Sequence, residues 1–388
     1  MMFETIPFKT PSTFFGMDTI HQIGGEAKKL GAGKVLIVTG PSVKKAGILD
    51  KVLSFLNKES LAVEVNIQER DTPEPATDVV EGTAELAKKG NFDVIIGLGG
   101  GSILDVAKMA SALMTNPGKT RDYFGKEKVS MRGKPTIMVP TTAGTGAEMT
   151  KHAIFLDRES DVKKAVASNN LLPNVAIIDP MLTVSCPAHV TASSGIDAFI
   201  HAAEPFISKN ANAVTEIIAL EAVRIITRWL GPAYADGKDL DARYYMSLGS
   251  MMSGMVLNNS GTSLVHALSY PIGGEYHSPH GVTLSALLAT CFEYAIVARQ
   301  DKMVRLAEAM GENVEGLSAR EAAMLAPEAI RELVASVRLP NSLTELGVKD
   351  RSNLQYWAEE AHKEQRLLSR SPINLSVEDI KEIYEKAF

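Results

Sequence analysis

The sequence predicts an α/β domain over residues 1–186 followed by an all-helical domain over 187–388, and three observations carry that expectation. From residue 34 to about 180, short runs rich in Val and Ile alternate with amphipathic segments, the pattern of strands joined by crossover helices. Several of these runs are apolar without alternation, as parallel strands covered on both faces require. Beyond Pro187 the strand signals stop, and long segments of helical periodicity punctuated by Gly and Pro take over.

In chain order, KVLIVT (34–39), LAVEVNI (61–67), DVIIGL (93–98), PTIMVP (135–140) and VAIID (175–179) read as strands, with 77–89 and 102–115 as helices between them. The second half offers helical stretches at 214–230, 241–257, 281–298, 301–310 and 319–337. No internal repeat or low-complexity segment suggests a further division.

The bulk composition narrows the partners. With 388 residues, 45% hydrophobic and 22% charged, the chain has the make-up of a globular protein long enough for two domains. A formal charge of -6 and a pI near 5.8 do not supply the basic surface that phosphate neutralisation needs, so small molecules are expected as partners and nucleic acid is not. Cys186 and Cys291 are too few for a disulfide framework, and the opening MMFETIPFKT lacks a signal peptide's layout. No run of about 18 uninterrupted apolar residues marks a membrane span. A reducing cytoplasm is the expected setting.

Two loops carry nucleotide-type chemistry. After the strand DVIIGL come Gly99, Gly100, Gly101 and Ser102, followed at once by the helical ILDVAKMASALM. Glycines let the backbone approach a diphosphate, and the free N–H groups and dipole of the new helix favour its negative charge. The G-x-G-x-x-G spacing is not met, because Ser102 stands where the last glycine would fall, and a tight turn without a ligand explains the cluster equally well. A second polar loop, with Thr141, Thr142 and Thr145, follows PTIMVP, and ligands of parallel sheets bind beyond the carboxyl ends of strands.

Metal-type donors gather in the second half. Asp197 and His201 are four residues apart in SSGIDAFIHAAEPF, which places both on one helical face about one turn apart, as metal ligands or as an Asp–His hydrogen bond. His266 lies in the apolar SLVHALSY, a helical stretch expected to end at Pro271, where an imidazole without a partner is expensive to bury. His280 follows Pro279 at the start of the next helix. Three imidazoles and a carboxylate suit Fe, Zn, Mn, Ni or Co rather than Mg or Ca.

At these residues the chain resembles the iron-containing, or group III, alcohol dehydrogenase family. The likeness runs over essentially all 388 positions and rests on GGGSILDVAK (99–108), TTAGTGAE (141–148), GIDAFIHAAE (195–204) and HALSYPIGGEYHSPHGV (266–282). The resemblance implies a dehydroquinate synthase-like fold, with an N-terminal dinucleotide-binding domain and a helical metal-binding and substrate domain. It implies Asp197, His201, His266 and His280 as ligands of one divalent metal, iron as Fe2+ in the family's name. Gly99, Gly100, Gly101 and Ser102 would bind pyrophosphate, and Thr141, Thr142, Thr145 and Lys164 would line the nucleotide site; Asp105 matches a motif position of open role. The activity it implies is hydride transfer between NAD or NADP and a small primary alcohol or aldehyde, including substrates with an anionic tail, in an enzyme that is commonly a homo-oligomer. A zinc polyol dehydrogenase and a dehydroquinate synthase-like lyase share the architecture.

Two departures from the family pattern stand out. Many NAD-preferring relatives carry an Asp after the first strand, where its carboxylate repels a 2′-phosphate; here that position is Gly40, followed by Ser42, Lys44 and Lys45. The loop thus tolerates NADP, or its lysines simply begin a solvated helix. Tyr270 stands where several relatives have a histidine near the substrate, and His277 supplies a replacement polar group or faces solvent.

Overall fold

The computed structural model describes residues 5–69, 75–159 and 162–388. The chain divides into two compact units, Lys9–Cys186, and Pro187–Phe388 with the N-terminal segment up to Phe8.

The first unit runs β1 (Ser12–Phe15), α1 (Ile23–Lys29), β2 (Lys34–Thr39), α2 (Pro41–Lys45), α3 (Ile48–Lys58), β3 (Ala62–Ile67), α4 (Thr77–Gly90), β4 (Val94–Gly99), α5 (Gly101–Leu113), β5 (Gly125–Lys126), β6 (Thr136–Pro140), β7 (His152–Asp157), β8 (Val162–Ala167) and β9 (Val175–Ile178). Six strands form a parallel sheet in the order β1-β9-β6-β4-β2-β3. All five expected strands are in it. Alternate residues of β2 serve opposite faces: Leu36 and Val38 pack with Val80 of α4 and Leu104 of α5, while Val35 and Ile37 pack with Ile23 of α1 and Val52 of α3. Covering both faces in this way explains the unbroken apolar runs.

The edge strand β1, paired from Ser12↔Val175 to Phe15↔Ile178, and a second sheet ordered β5-β8-β7 were not expected from the sequence. In the second sheet β7 and β8 form an antiparallel pair. The order of the large sheet matters for function. The chain moves outward from β2 to β3, then returns to β4 on the other side of β2, so the loops after β2 and β4 emerge side by side where the winding reverses.

The second unit is helical: α6 (Ala188–Ile207), α7 (Ala213–Ala235), α8 (Leu240–Ser260), α9 (Leu264–Tyr276), α10 (His280–Met310), α11 (Ala319–Ser336), α12 (Leu343–Leu346), α13 (Leu354–Lys363), α14 (Gln365–Leu368) and α15 (Val377–Lys386). Helix α6 is its centre, buried without interruption from Gly195 to Ile207 and packed by α7, α8 and α10. Burial of each large apolar side chain there, such as Phe199 or Ile200, contributes about 2 kcal/mol. By composition α10 reaches the hydropathy of a membrane span (1.6), but 67% of that window is buried. It packs on α6, α7, α9 and α11, the position of a core helix.

One helix limit differs from expectation. Pro271 does not end α9, which continues to Tyr276. A proline inside a helix costs roughly 3 kcal/mol through its missing N–H and ring clash. Here Ile272 and Gly273 are buried and α9 packs on α10 and α13, so tertiary packing outweighs the local penalty. The break expected between 281–298 and 301–310 is present inside α10 as the non-helical backbone of Arg299 (φ -143, ψ 39), where two helices meet at a kink.

Candidate metal centre and nucleotide loops

In the first unit three polar loops share one sheet edge. Gly99 ends β4, Gly100 caps α5 in extended conformation, and α5 begins at Gly101. The Thr141 amide donates to the Gly99 carbonyl (3.0 Å), so the threonine loop after β6 runs alongside the glycine turn. The Thr145 side chain occupies the space a Cβ on Gly101 would need, 2.6 Å from its Oγ1, and Thr142 lies 3.6 Å from the corresponding point on Gly100. Thr145 Oγ1 also accepts from the Ala147 amide (3.2 Å). Glycine and threonine positions singled out from sequence thus converge on the N-terminus of α5, where Ser102 also lies and where the positive end of the helix dipole suits phosphate.

Behind this edge sits a buried ion pair. Lys108 Nζ lies 2.8 Å from Asp105 Oδ1 with no exposed side-chain surface, and donates to the Ala147 carbonyl (3.0 Å) and to that of His152. Asp105 Oδ2 accepts from the Ile154 amide (2.9 Å). The open role of Asp105 is therefore structural: with Lys108 it ties α5 to the threonine loop and to β7. Burial pushes the neighbouring Glu148 up to about 7.

The remaining first-unit residues are placed as follows. Gly40 caps α2 in extended conformation, with Ser42 in that five-residue helix, at the reversal of the winding beside β4. Lys44 and Lys45 are exposed in its last turn rather than at a helix start. Lys164 stands on β8 of the second sheet, its amine 2.8 Å from Asp157 Oδ2, while Arg121 holds the other oxygen at 2.8 Å.

In the second unit the donors converge. Asp197 and His201 project from one face of α6, His266 comes from the first turn of α9, and His280 is the first residue of α10. Asp197 Oδ1 lies 3.4 Å from His201 Nε2, 3.9 Å from His266 Nε2 and 3.9 Å from His280 Nε2. His201 and His266 Nε2 are 3.2 Å apart, their rings stacked with centroids 5.1 Å apart. A Cβ on Gly281 would stand 2.1 Å from the Ser193 carbonyl oxygen, so only glycine lets the start of α10 approach α6 closely enough to deliver His280.

These atoms fit a divalent ion. Donors about 2.1 Å from one centre stand roughly 3.4 Å apart in a tetrahedron; the donor atoms of Asp197, His201 and His266 lie within 4.8 Å of one another, and His280 Nε2 is 3.9 Å from Asp197 at the edge of that set. Asp197 Oδ1 is buried and accepts no hydrogen bond, although three nitrogens surround it. Burial, aided by His201, pushes His266 down to about 3, so its imidazole is neutral and keeps a lone pair at neutral pH.

Glu204 was missed from sequence. It lies on α6 three residues beyond His201 and seven beyond Asp197, continuing the same helical stripe, which was the available signal. Its Oε2 accepts from His266 Nδ1 (2.7 Å) and the Ser263 amide (3.2 Å), and its Oε1 from the Val265 amide (2.5 Å). Burial lifts this carboxyl to about 7 despite those donors. With the Nδ1 proton of His266 committed to Glu204, the Nε2 lone pair points at Asp197 and His201; such a carboxylate–histidine pair orients a ligand.

The two additional candidates differ. The Tyr270 ring is 6.3 Å from His280, one turn beyond His266 on α9. His277 caps α9 in a left-handed conformation (φ 48) and is exposed.

Comparison with known proteins agrees with both units. Residues 10–180 match the family described as iron-containing alcohol dehydrogenase, and residues 191–388 its C-terminal part. The chain is 39% identical to long-chain-alcohol dehydrogenase 1 of Geobacillus thermodenitrificans, over 97% of this chain and 95% of that one. It is 37% identical to 1,3-propanediol dehydrogenase of Citrobacter freundii, over all of both chains. Among solved structures, a 1,3-propanediol oxidoreductase superposes with a TM-score of 0.94 at 36% identity (99% of this chain, 100% of that one). An alcohol dehydrogenase from Oenococcus oeni gives 0.95 at 35% identity with the same coverage.

Proposed function

Because the chain belongs to the iron-containing alcohol dehydrogenase family, we propose that it interconverts a small primary alcohol and its aldehyde with NAD(P), using one divalent metal held by Asp197, His201, His266 and His280. The observation that carries this reading is the convergence of Asp197, His201 and His266 donor atoms from α6 and α9, with His266 held by Glu204 and His280 Nε2 3.9 Å from Asp197. A bound divalent ion supplies Lewis acidity toward the substrate oxygen, and a nicotinamide gives or takes the hydride. The protein's own part is to orient and exclude. Glu204 holds the His266 proton at Nδ1, and the close-packed start of α10 presents His280 beside Tyr270. In the first unit, Gly99, Gly100, Gly101 and Ser102 would receive the pyrophosphate at the α5 N-terminus, with Thr141, Thr142 and Thr145 along its flank and Lys164 lining the nucleotide site from β8. Gly40 and Ser42, without a carboxylate after β2, leave room for either NAD or NADP.

The test is a screen of primary aldehydes with NADH and NADPH after anaerobic loading with Fe(II), Zn(II) or Mn(II). Oxidation of the reduced cofactor that requires one of these metals is expected. His280→Ala is expected to lose both metal retention, by elemental analysis, and turnover, while still binding nucleotide; normal turnover by a metal-free His280→Ala protein would refute the assignment.

A further inference from the structure

The chain that joins the third and fourth donors crosses a proline and then a sharp turn. His266 lies in the first turn of α9 and His280 opens α10, with only His277, Ser278 and Pro279 between the two helices. Pro271 interrupts α9 midway. It has no amide to give the Ala267 carbonyl, so the second half of the helix is joined to the first by one bond fewer. The placement of that second half has to come from outside α9.

Helices α13 and α15 supply it. The Glu275 carboxylate, in the last turn of α9, accepts from the Trp357 indole Nε1 (2.6 Å) and from Asn353 Nδ2 (2.7 Å). Both donors belong to the start of α13, where Asn353 holds the cap position without capping the helix by its own side chain. A carboxylate is favoured there by the helix dipole. Trp357 is 1% exposed, and its indole N–H would be costly to bury without this partner. The Trp357 ring stands edge to face with Tyr276 on one side (6.0 Å) and with the buried Tyr384 of α15 on the other (6.1 Å), the arrangement that ring quadrupoles prefer. Tyr384 donates to the Leu268 carbonyl (2.7 Å), on the turn before Pro271. This aromatic row therefore holds α9 on both sides of its proline.

The connection to His280 starts at this brace. His277 is left-handed (φ 48) directly after Tyr276, and Pro279 (φ -54) caps α10, so two of the three linking residues have constrained backbones. A shift at Glu275 is passed on to His280 rather than absorbed. His280 is also the donor least enclosed by the rest of the site: its side chain is 27% exposed, against 5% for Asp197, 8% for His201 and 4% for His266. Resting on the metal reading above, we propose that Glu275 is a positioning residue for the fourth ligand. By holding Trp357 and Asn353 it sets the turn 277–279 so that His280 Nε2 is presented to the ion. Glu275 itself touches neither metal nor substrate and acts through His280.

The experiment titrates Co(II) into the metal-free full-length protein and follows its visible absorption, which is strong for a four-coordinate ion and weak for a six-coordinate one. The proteins are the wild type, Glu275→Ala, Glu275→Gln, His280→Ala and the Glu275→Ala/His280→Ala double variant. Glu275→Ala is expected to weaken Co(II) binding roughly tenfold, the lower end for losing a group that orients a ligand, and to dim the absorption per bound ion. Glu275→Gln keeps an oxygen that accepts from the indole and should recover part of the affinity. In the His280→Ala background, titrated to higher Co(II), adding Glu275→Ala should change the affinity by less than about twofold, because the side chain it positions is gone. An equal loss in the two backgrounds, or wild-type affinity in Glu275→Ala, overturns the positioning role and leaves the metal site standing. Should Glu275→Ala fail to fold, Trp357→Phe keeps the buried ring, removes only its N–H donor, and goes through the same cycle with the same criteria. Absence of Co(II) binding by the wild type overturns both readings.

Discussion

Replacing Lys108 by methionine tests whether the nucleotide edge is braced from behind. The lysine amine is fully buried against Asp105, the Ala147 carbonyl and the His152 carbonyl. Methionine fills a similar volume but leaves the Asp105 carboxylate buried with only the Ile154 amide as a described partner. Removing one member of a buried pair typically costs 3–5 kcal/mol, because the other charge is left uncompensated. At about 2–4 °C per kcal/mol for a unit of this size, the melting transition of the first unit should fall by roughly 10 °C. Thr145 leans on Gly101 from the loop that Lys108 secures through Ala147, so NADH affinity should fall as well, while metal content, set in the other unit, stays unchanged. Urea denaturation gives the stability change and fluorescence titration the affinity. The Asp105→Asn/Lys108→Met double variant removes both charges and should recover more than 1 kcal/mol of the loss in a double-mutant cycle. A Lys108→Met protein within 1 kcal/mol of wild type, or a double variant whose losses simply add, would refute the reasoning.

Two further outcomes follow from the buried carboxyls. Glu204→Gln keeps the shape of the side chain but weakens its hold on His266 Nδ1, and metal affinity measured by competition with a chelator should drop tenfold to a hundredfold; an unchanged affinity would remove Glu204 from the site. Glu148, raised from 4.5 to about 7, favours the folded state when neutral, a contribution complete below 4.5 and lost as the pH climbs through 7. Glu148→Gln cannot ionise, so its stability relative to wild type should improve by roughly 3 kcal/mol between pH 4.5 and 8; a pH-independent difference would contradict the burial argument.

What the sequence revealed depended on range. The central strands β2, β4, β6 and β9 were legible because burial on both faces leaves unbroken apolar runs, and the glycine turn because it sits between such a strand and a helix. Asp197 and His201 were legible as an i, i+4 pair, whereas Glu204, one turn further on, reads as an ordinary charged residue until its Oε2 is seen against His266. The edge strand β1 escaped because STFF is four residues long and only half-buried, and a short run without alternation carries no period to detect. The β7–β8 pair escaped because HAIFLD is apolar at four consecutive positions although its burial alternates, and because VKKAVA is interrupted by two consecutive lysines. Pro271 misled for the opposite reason: a strong local breaker was overruled by packing from α10 and α13, which no local window contains.

The metal site and its support are best understood as one stripe of α6. Asp197, His201 and Glu204 occupy successive turns of a helix buried all round, and a buried helix tolerates three polar side chains only where each finds a partner. Glu204 finds four protein donors from α9 and the segment before it. Asp197 Oδ1 and His201 Nδ1 accept or donate no hydrogen bond, and each such buried atom costs about 1–3 kcal/mol. The two ends of the stripe therefore have different tasks. Glu204 locks α9 to α6 and holds His266 Nδ1 through protein contacts alone, whereas Asp197 Oδ1 faces the Nε2 atoms of His201, His266 and His280 without accepting a hydrogen bond. A buried carboxylate oxygen left without a hydrogen bond among imidazole nitrogens 3.4 to 3.9 Å away is the arrangement that a divalent cation completes.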